Sequence, residues 1–316
     1  MAIPVRPKLR FYLGLGLGVS AQSTASILIR YAQADGAPSL IIAAWRLTLA
    51  SLALLPLVLW RYRPELRRLP GRAWGLAVLS GAFLGVHFAT WITSLAYTTV
   101  ASSVVLVSSS PLFVALISAA ALHERPPRAV RLGLAAALAG IITIGLVDLC
   151  TPRGCPAPAD LWQGRAFLGN LLALAGAVAL AAYYSIGRAL RPERDGQPGI
   201  SLIPYIFLTY GVASLALLAS VSVLRLPLGG YAPRAWLWFA LLALVPQLLG
   251  HSSYNWALKF LPATYVSVTT LGEPIGSTLL AVLLLREIPS ALKLAGGALI
   301  LAGILIASRN SDTAAA

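Results

Sequence analysis

Apolar stretches of about 20 residues recur along the whole length of this chain, and short segments between them hold most of its charge. A helix needs about 20 apolar residues to cross the hydrocarbon core of a bilayer. The stretches are continuous rather than alternating, which favours membrane helices over the strands of a barrel. With 58% hydrophobic and 11% charged residues, the 316-residue chain also has too little charge to cover a soluble surface.

The pattern therefore predicts an all-α integral membrane protein with ten transmembrane helices. Numbered in chain order, the predicted spans 1 to 10 cover residues 11–30, 38–60, 72–94, 100–121, 128–148, 167–187, 201–224, 234–257, 263–285 and 290–308. Very short turns join spans 3 and 4 and spans 8 and 9, which predicts two tight antiparallel hairpins. The N-terminus resembles a signal peptide, but apolar character resumes after residue 24, so we expect a retained helix.

Lysine and arginine are distributed unequally between the two sides of the predicted bundle. With the N-terminus inside, 16 of the 24 basic residues lie in inner segments and 7 in outer ones, which predicts two cytoplasmic termini. The net charge of +14 then reflects topology in an inner membrane rather than binding of nucleic acid. Cys150 and Cys155 share one outer loop, where a disulfide and two free thiols both remain open.

The two halves of the chain echo each other at an offset of 163 residues. Residues 50–55 and 213–218 share the letters ASLALL, and matches at the same offset join Pro111 to Pro274, Glu124 to Glu287, Gly133 to Gly296 and Gly140 to Gly303. Five spans per half is an odd number, so the second half is expected to enter the membrane inverted. We therefore predict a first repeat over 1–150, an extracytoplasmic connecting loop over 151–166 and a second repeat over 167–316. Such a repeat places a substrate site near the midplane.

Two charged residues lie well inside predicted spans. Arg46 is within span 2 and Glu273 within span 9. Insertion scales put the cost of an arginine at the membrane centre at about 2.5–3.5 kcal/mol, so we expect Arg46 to face protein or a cavity and to pair with Glu273. A structural ion pair and a charged pair at a transport site, with Glu273 titrating, both fit this pattern.

Polar and aromatic residues at helical spacing predict the walls of a cavity. Residues 87, 90, 91 and 94 share one face of span 3, and residues 247, 251 and 254 share one face of the repeat-related span 8. With Gln22 of span 1 and the two charged residues, these stripes give a predicted substrate site. Its residues are Gln22, Trp45, Arg46, His87, Trp91, Tyr210, Gln247, His251, Tyr254, Asn255 and Glu273.

Spans 5 and 10 differ from the others because they are almost purely Ala, Leu, Ile and Gly. Without a polar stripe they are expected to lie outside the cavity, as packing helices or as the contact of a homodimer. Gly14, Gly16 and Gly18 follow no strand and therefore indicate close helix packing rather than a nucleotide loop. Enzyme and metal motifs are absent from the sequence, so we predict no catalytic residues, no metal and no cofactor.

The ten spans, the doubled five-span unit, Ala44-Trp45-Arg46 in span 2 and the Pro111/Glu124 pattern repeated at Pro274/Glu287 resemble the EamA-type drug/metabolite transporter superfamily. The resemblance covers about Phe11 to Ser308. It implies a cavity surrounded by spans 1–4 and 6–9, with spans 5 and 10 outside. It also implies structural roles for Glu124 and Glu287 at helix ends. His123 departs from the glycine that is common before the first of these glutamates.

The sequence thus predicts a secondary transporter that moves a small molecule across the inner membrane by alternating access, with export of an amino acid or related compound as the first hypothesis. Proton coupling through Glu273 would fit this reading. Import of a quaternary amine or other organic cation is the alternative, and it requires Glu273 to be free of Arg46. A membrane enzyme acting on lipid or prenyl substrates and a structural or sensor protein that transports nothing are the remaining hypotheses.

Overall fold

The computed structural model describes residues 9–121, 128–149, 164–193, 198–261 and 263–308. Each predicted span is helical over most of its described length, and no strand occurs in these ranges. Glu124, Cys150, Cys155 and most of the loop predicted between the repeats lie outside them. Six of the described helices are long and apolar enough to cross a membrane: residues 39–68, Gly71–Ser94, Val100–Ile117, Arg165–Leu190, Leu202–Val223 and Pro233–Ala257.

Five spans contain interruptions or wider turns that the apolar pattern alone does not reveal. Span 1 is Leu9–Ser23 followed by Ala25–Ala34, span 4 is Val100–Val107 followed by Ser110–Ala121, and span 9 is Ala263–Thr269, Gly272–Leu280 and the π-helix Ala281–Leu285. Span 8 is Pro233–Leu242, the π-helix Ala243–His251 and Ser252–Ala257. Span 2 is Ser39–Leu57, followed by the π-helix Val58–Tyr62 and the short helix Arg63–Arg68. The remaining spans are single helices over Gly71–Ser94, Arg128–Leu149, Arg165–Leu190, Leu202–Val223 and Ala291–Ser308.

Proline accounts for several of these irregularities, because it lacks the N–H that would bond the preceding turn. Span 4 breaks two residues before Pro111, and span 9 breaks three residues before Pro274. Pro246 lies inside the π-helix of span 8, where a wider turn can accommodate the ring. The irregularities of spans 4, 8 and 9 thus coincide with prolines.

Span 1 packs closely against spans 8 and 9 through glycine. A Cβ placed on Gly14 would lie 2.9 Å from the ring of Trp256, and one on Gly18 would lie 3.0 Å from the ring of Tyr254. On span 9, a Cβ on Gly272 would meet Val19 at 2.7 Å. The predicted close packing is confirmed for Gly14 and Gly18, whereas Gly16 has open space around it.

Spans 5 and 10 pack against each other, and glycines from both helices form the contact. A Cβ on Gly140 would clash with the carbonyl oxygen of Gly296, and one on Gly303 would clash with the carbonyl oxygen of Gly133. The contact runs antiparallel, because the lower-numbered residue of span 5 meets the higher-numbered residue of span 10. The packing role predicted for these helices is confirmed, and their contribution to a homodimer stays a prediction.

Candidate functional site

A small cavity of about 20 Å³ lies in the middle of the bundle. Spans 1, 3, 4, 6, 8 and 9 each contribute to its wall, and none of the lining residues comes from span 5 or span 10. The lining residues are Gln22, His87, Trp91, Val107, Ser108, Leu180, Tyr184, His251, Thr270 and Glu273. Its polar groups therefore come from both halves of the chain, as expected of a site between two repeats.

Two of these residues lie where a helix is interrupted. Ser108 stands in the break of span 4, and Thr270 stands in the break of span 9. Non-helical backbone at membrane depth is tolerated where it is buried in protein or lines a polar cavity. The two breaks therefore bring hydroxyl residues from both halves of the chain to the same cavity.

Glu273 is the carboxylate of this cavity. It lies in the first turn of the helix Gly272–Leu280, where exposed N–H groups favour a negative charge. Its Oε1 accepts a hydrogen bond from the hydroxyl of Tyr254 at 2.7 Å, and its side chain remains half-buried. The residue can therefore offer a negative charge to a bound cation or accept a proton from the cavity.

The two histidines line the cavity together but have different partners. Their ring centroids are 6.1 Å apart, and the ring of His87 stacks on Trp91 at 5.7 Å. Nδ1 of His87 lies 3.0 Å from the carbonyl oxygen of Gly176, which ties span 3 to span 6. Nδ1 of His251 is buried and has no hydrogen-bond partner among the described residues. His87 is thus anchored, whereas His251 retains unused hydrogen-bonding capacity.

Arg46 lies one layer behind the cavity wall and is fully buried. Its Nε donates to Oε1 of Gln247 at 2.8 Å, and its Nη2 donates to Oε1 of Gln22 at 3.4 Å. The guanidinium carbon stands 4.3 Å from the centroid of the Phe88 ring. The hydrogen bonds of Arg46 in the described structure thus go to neutral amides.

The predicted ion pair between Arg46 and Glu273 is not formed. Ion pairs among the described residues join Arg30 to Glu287 and Arg234 to Asp35. The hydroxyl of Tyr254 donates to the carboxylate of Glu273, and Gln22 and Gln247 accept from the guanidinium of Arg46. Each charged group is thus hydrogen-bonded to a neutral side chain and not to the opposite charge. Glu273 is consequently accessible to the cavity without Arg46 bound to it.

The structure divides the predicted site residues into three groups. Gln22, His87, Trp91, His251 and Glu273 line the cavity, and Tyr254 reaches it through its hydroxyl. A buried polar cluster behind the wall holds Arg46, Tyr210, Gln247 and Asn255, where Tyr210 approaches Gln247 and Ser252 and Asn255 donates to Tyr183. Trp45 lies apart and donates to the carbonyl of Leu228 at 3.0 Å while its ring packs on Trp236.

The separation of Gln247 from the cavity has a local cause. An α-helix would place residues 247, 251 and 254 on one face. Residues 243–251 are instead π-helical, and this wider winding changes the direction in which each side chain points. His251 and Gln247 therefore face different surroundings although their spacing matches an α-helical stripe.

Sequence reasoning did not assign five of the lining residues to the site: Val107, Ser108, Leu180, Tyr184 and Thr270. The signal for Ser108 and Thr270 was a run of hydroxyl residues shortly before a proline. Tyr184 belongs to the pair Tyr183-Tyr184, whose depth in span 6 fits a cavity wall. Val107 and Leu180 are apolar residues in apolar helices, so the sequence carries no signal for them.

One end of the bundle is held by a set of contacts that we call the Arg30 latch, made of Arg30, Leu95, Val100 and Glu287. Arg30 forms an ion pair with Oε1 of Glu287 and donates to the carbonyl of Leu95 at 2.7 Å. Oε2 of Glu287 accepts from the backbone N–H of Val100 at 3.0 Å. The latch thus ties the end of span 9 to span 1 and to the turn between spans 3 and 4.

The opposite end of the bundle shows a related contact in the second half. Arg188 donates to the carbonyl of Leu258 at 3.1 Å, and Leu258 stands 163 residues after Leu95. The repeat matches Arg188 to Arg30 once a longer loop in the second half is allowed for, since the two residues are 158 rather than 163 positions apart. Glu124, the sequence counterpart of Glu287, lies outside the described residues.

Metal binding has no structural support within the described ranges. No group of three or more His, Cys, Asp or Glu residues there stands close enough together to hold a metal ion. The two cavity histidines and Glu273 do not form such a group. The lining residues of the cavity offer hydrogen-bonding groups, aromatic rings and the carboxylate of Glu273.

Comparison with known proteins agrees with this architecture. The sequence pattern of the EamA-like transporter family matches residues 11–146 and 167–309, which together cover most of the chain. One solved crystal structure of a protein is similar over 98% of this chain and 99% of its own, with 21% identity and a TM-score of 0.63, which shows a shared fold. The comparison with curated proteins gives no match. The two family matches fall on the two halves that the repeat defines, and the chain is a multi-pass membrane protein of the EamA-like transporter family.

Proposed function

We propose that this protein is a secondary active transporter that exports an amino acid or a related zwitterion across the inner membrane by alternating access. The observation that carries the proposal is the central cavity, which residues of both halves line and which holds one carboxylate, Glu273. A carboxylate can pair with the ammonium group of the cargo. Trp91, Tyr184 and the two histidines can pack on its side chain.

Alternating access rests on an inverted arrangement of the two halves. The glycine contacts support it, because exchanging Gly133 with Gly296 and Gly140 with Gly303 converts one contact of spans 5 and 10 into the other. The twofold axis that relates two antiparallel helices in this way runs across the bundle rather than along it. The matching bonds of Arg30 to Leu95 and of Arg188 to Leu258 also support this arrangement.

In this mechanism the Arg30 latch closes the outer end of the bundle, and the excess of basic residues sets the orientation. Cargo enters from the cytoplasm, and rocking of one half on the other then opens the outer end. Glu273 exchanges a proton for cargo within the cavity, which couples export to the proton gradient.

Counterflow in proteoliposomes tests the proposal. Vesicles are loaded with a mixture of unlabelled amino acids, and entry of a labelled amino acid is followed with and without a pH gradient. We expect exchange in the native protein and a loss of at least tenfold in Glu273→Gln, because the neutral amide cannot pair with an ammonium group. Absence of exchange for every amino acid would remove this cargo class.

Import of a quaternary amine or another organic cation is the second candidate, and one observation favours it. Glu273 is free of Arg46, which is the condition that this alternative requires. The same vesicles loaded with choline-like amines distinguish the two cargo classes. An enzyme acting on lipid or prenyl substrates is disfavoured because the family to which the chain belongs consists of transporters.

A further inference from the structure

The polar cluster behind the cavity contains a cation that no carboxylate contacts directly. Arg46 is 0% exposed, and no carboxylate among the described residues pairs with it. A buried charge without a partner is strongly destabilising, and neutral amides offset only part of that cost. The neutral partners of Arg46 therefore do not account for its burial by themselves.

The same cluster also holds hydrogen-bond donors without acceptors. Nη1 of Arg46 and Nε2 of Gln247 are both buried and without a partner among the described residues. These two side chains are already joined by the bond from Nε of Arg46 to Oε1 of Gln247. The unpaired groups of Arg46 and Gln247 can only donate, so an acceptor completes these two side chains, and the positive charge of Arg46 favours an anionic one. In the same cluster, Oδ1 of Asn255 is a buried acceptor without a partner among the described residues.

Gln22 stands between this cluster and the cavity. It lines the cavity, and its Oε1 accepts from Nη2 of Arg46 at 3.4 Å, which is long for a hydrogen bond. Gly250 faces it, and a Cβ at that position would lie 2.8 Å from Cγ of Gln22. Oε1 of Gln22 thus occupies the acceptor position at Nη2 of Arg46, and the long hydrogen bond holds it there only weakly.

We infer that this place is a carboxylate subsite: the carboxylate of the cargo displaces Oε1 of Gln22 and binds the guanidinium of Arg46, while Glu273 receives the cargo ammonium. The inference rests on the proposed function and names the second binding group of the same site. A planar guanidinium binds a carboxylate through two parallel hydrogen bonds and therefore suits this exchange. Gln22 belongs to span 1, next to the break at Thr24, so its displacement also moves a helix that contacts spans 8 and 9.

The first test needs no cargo and uses purified protein in detergent. Gln22→Glu places a carboxylate at Arg46 permanently, and we expect the thermal midpoint to rise by several degrees. The double variant Gln22→Glu/Arg46→Gln is the matched control and should lose that rise. An unchanged or lower midpoint in Gln22→Glu, or a rise that survives in the double variant, overturns the subsite.

The second test follows stabilisation by added ligands at constant ionic strength. Acetate should raise the midpoint of the native protein and chloride should not, and glycine should raise it more than glycinamide, because only glycine carries the carboxylate. Arg46→Gln and Gln22→Glu should both abolish the response to acetate. Equal stabilisation by chloride would identify a site for inorganic anions and would overturn the assignment to carboxylate.

The third test keeps the inference falsifiable if Gln22→Glu folds poorly. Gln22→Ala empties the place at Arg46, so the concentration of amino acid for half-maximal counterflow should fall severalfold. A rise or no change contradicts displacement of Gln22. Stabilisation by acetate through Arg46 without amino-acid counterflow removes the proposed function and keeps the subsite. Counterflow that is equal in Arg46→Gln removes the subsite and keeps the function.

Discussion

At the scale of single residues, the two cavity histidines show that identical side chains can have different hydrogen-bonding environments. His87 bonds the carbonyl of Gly176, and its ring stacks on Trp91. His251 is equally buried, but its Nδ1 has no partner among the described residues. We therefore assign His87 to holding spans 3 and 6 together and His251 to contact with cargo.

Leucine substitutions separate these roles. His87→Leu removes a buried hydrogen bond, and we expect a loss of about 0.5–1.5 kcal/mol in stability, measured as a lower thermal midpoint. His251→Leu replaces a polar group whose bond is unmade, so stability should hardly change while counterflow falls at least tenfold. A midpoint that falls more in His251→Leu than in His87→Leu would reverse the assignment.

Sequence reasoning at this scale identified which residues are polar and buried but not which of them meet. Arg46 and Glu273 are the two charges deep inside spans, and opposite charge suggested a pair. The partners that each actually has, Gln247 for the arginine and Tyr254 for the carboxylate, depend on helix rotation over fractions of a turn. Apolar periodicity does not define rotation that finely when most of the helix surface is apolar.

At the scale of elements, spans 5 and 10 depend on the absence of side chains at their crossing. A Cβ on Gly140 would approach the backbone oxygen of Gly296, which cannot move aside as a side-chain end can. Gly145 lies on the same helix with nothing within 4 Å of such an atom. The helix crossing therefore tolerates alanine at one glycine and not at the other.

We expect Gly140→Ala to destabilise the protein by about 1–3 kcal/mol, because overpacking forces the two backbones apart. Gly145→Ala is the matched control and should be neutral or slightly stabilising, since alanine favours helix more than glycine does. Thermal unfolding in one detergent compares the two. Equal midpoints for the two variants would contradict the close crossing.

The existence and type of the elements were predictable because lipid permits few alternatives and long apolar runs are unambiguous. Their internal breaks were predictable only where proline marks them. The π-helix over residues 243–251 altered the predicted face of span 8, and its winding has no signal beyond Pro246. The sequence therefore could not predict which residues of span 8 line the cavity and which belong to the buried cluster.

At the scale of the whole molecule, the Arg30 latch joins the two halves on one side of the cavity. Glu287 is central to it, because one carboxylate binds both Arg30 and the first N–H of span 4. Its neighbour Arg286 is exposed, and its backbone is left-handed with φ of 56°. A charge can therefore be removed within the latch at Glu287, or next to it at Arg286 as a matched control.

Glu287→Gln should weaken the latch and expose the cavity at that end. The readout is labelling of a cysteine at position 108 (S108C) by an impermeant maleimide in a background in which both native cysteines are serine. We expect the labelling rate from the Arg30 side to rise at least threefold, while Arg286→Gln leaves it unchanged. A rate that is unaffected by Glu287→Gln would show that other contacts close this end.

The π-helix of span 8 also has a consequence for length. Nine residues wound as an α-helix rise roughly 13–14 Å, and the same residues in wider turns cover less distance along the axis. Span 3, the repeat counterpart, is a continuous α-helix over Gly71–Ser94, so one copy of the repeated helix is shortened while the other is at full extension. If the halves exchange conformations during transport, span 8 must stretch as span 3 contracts. The distance between two spin labels at the ends of span 8 would then lengthen in the outward-open state, and the transport cycle could be followed as a change in helix length.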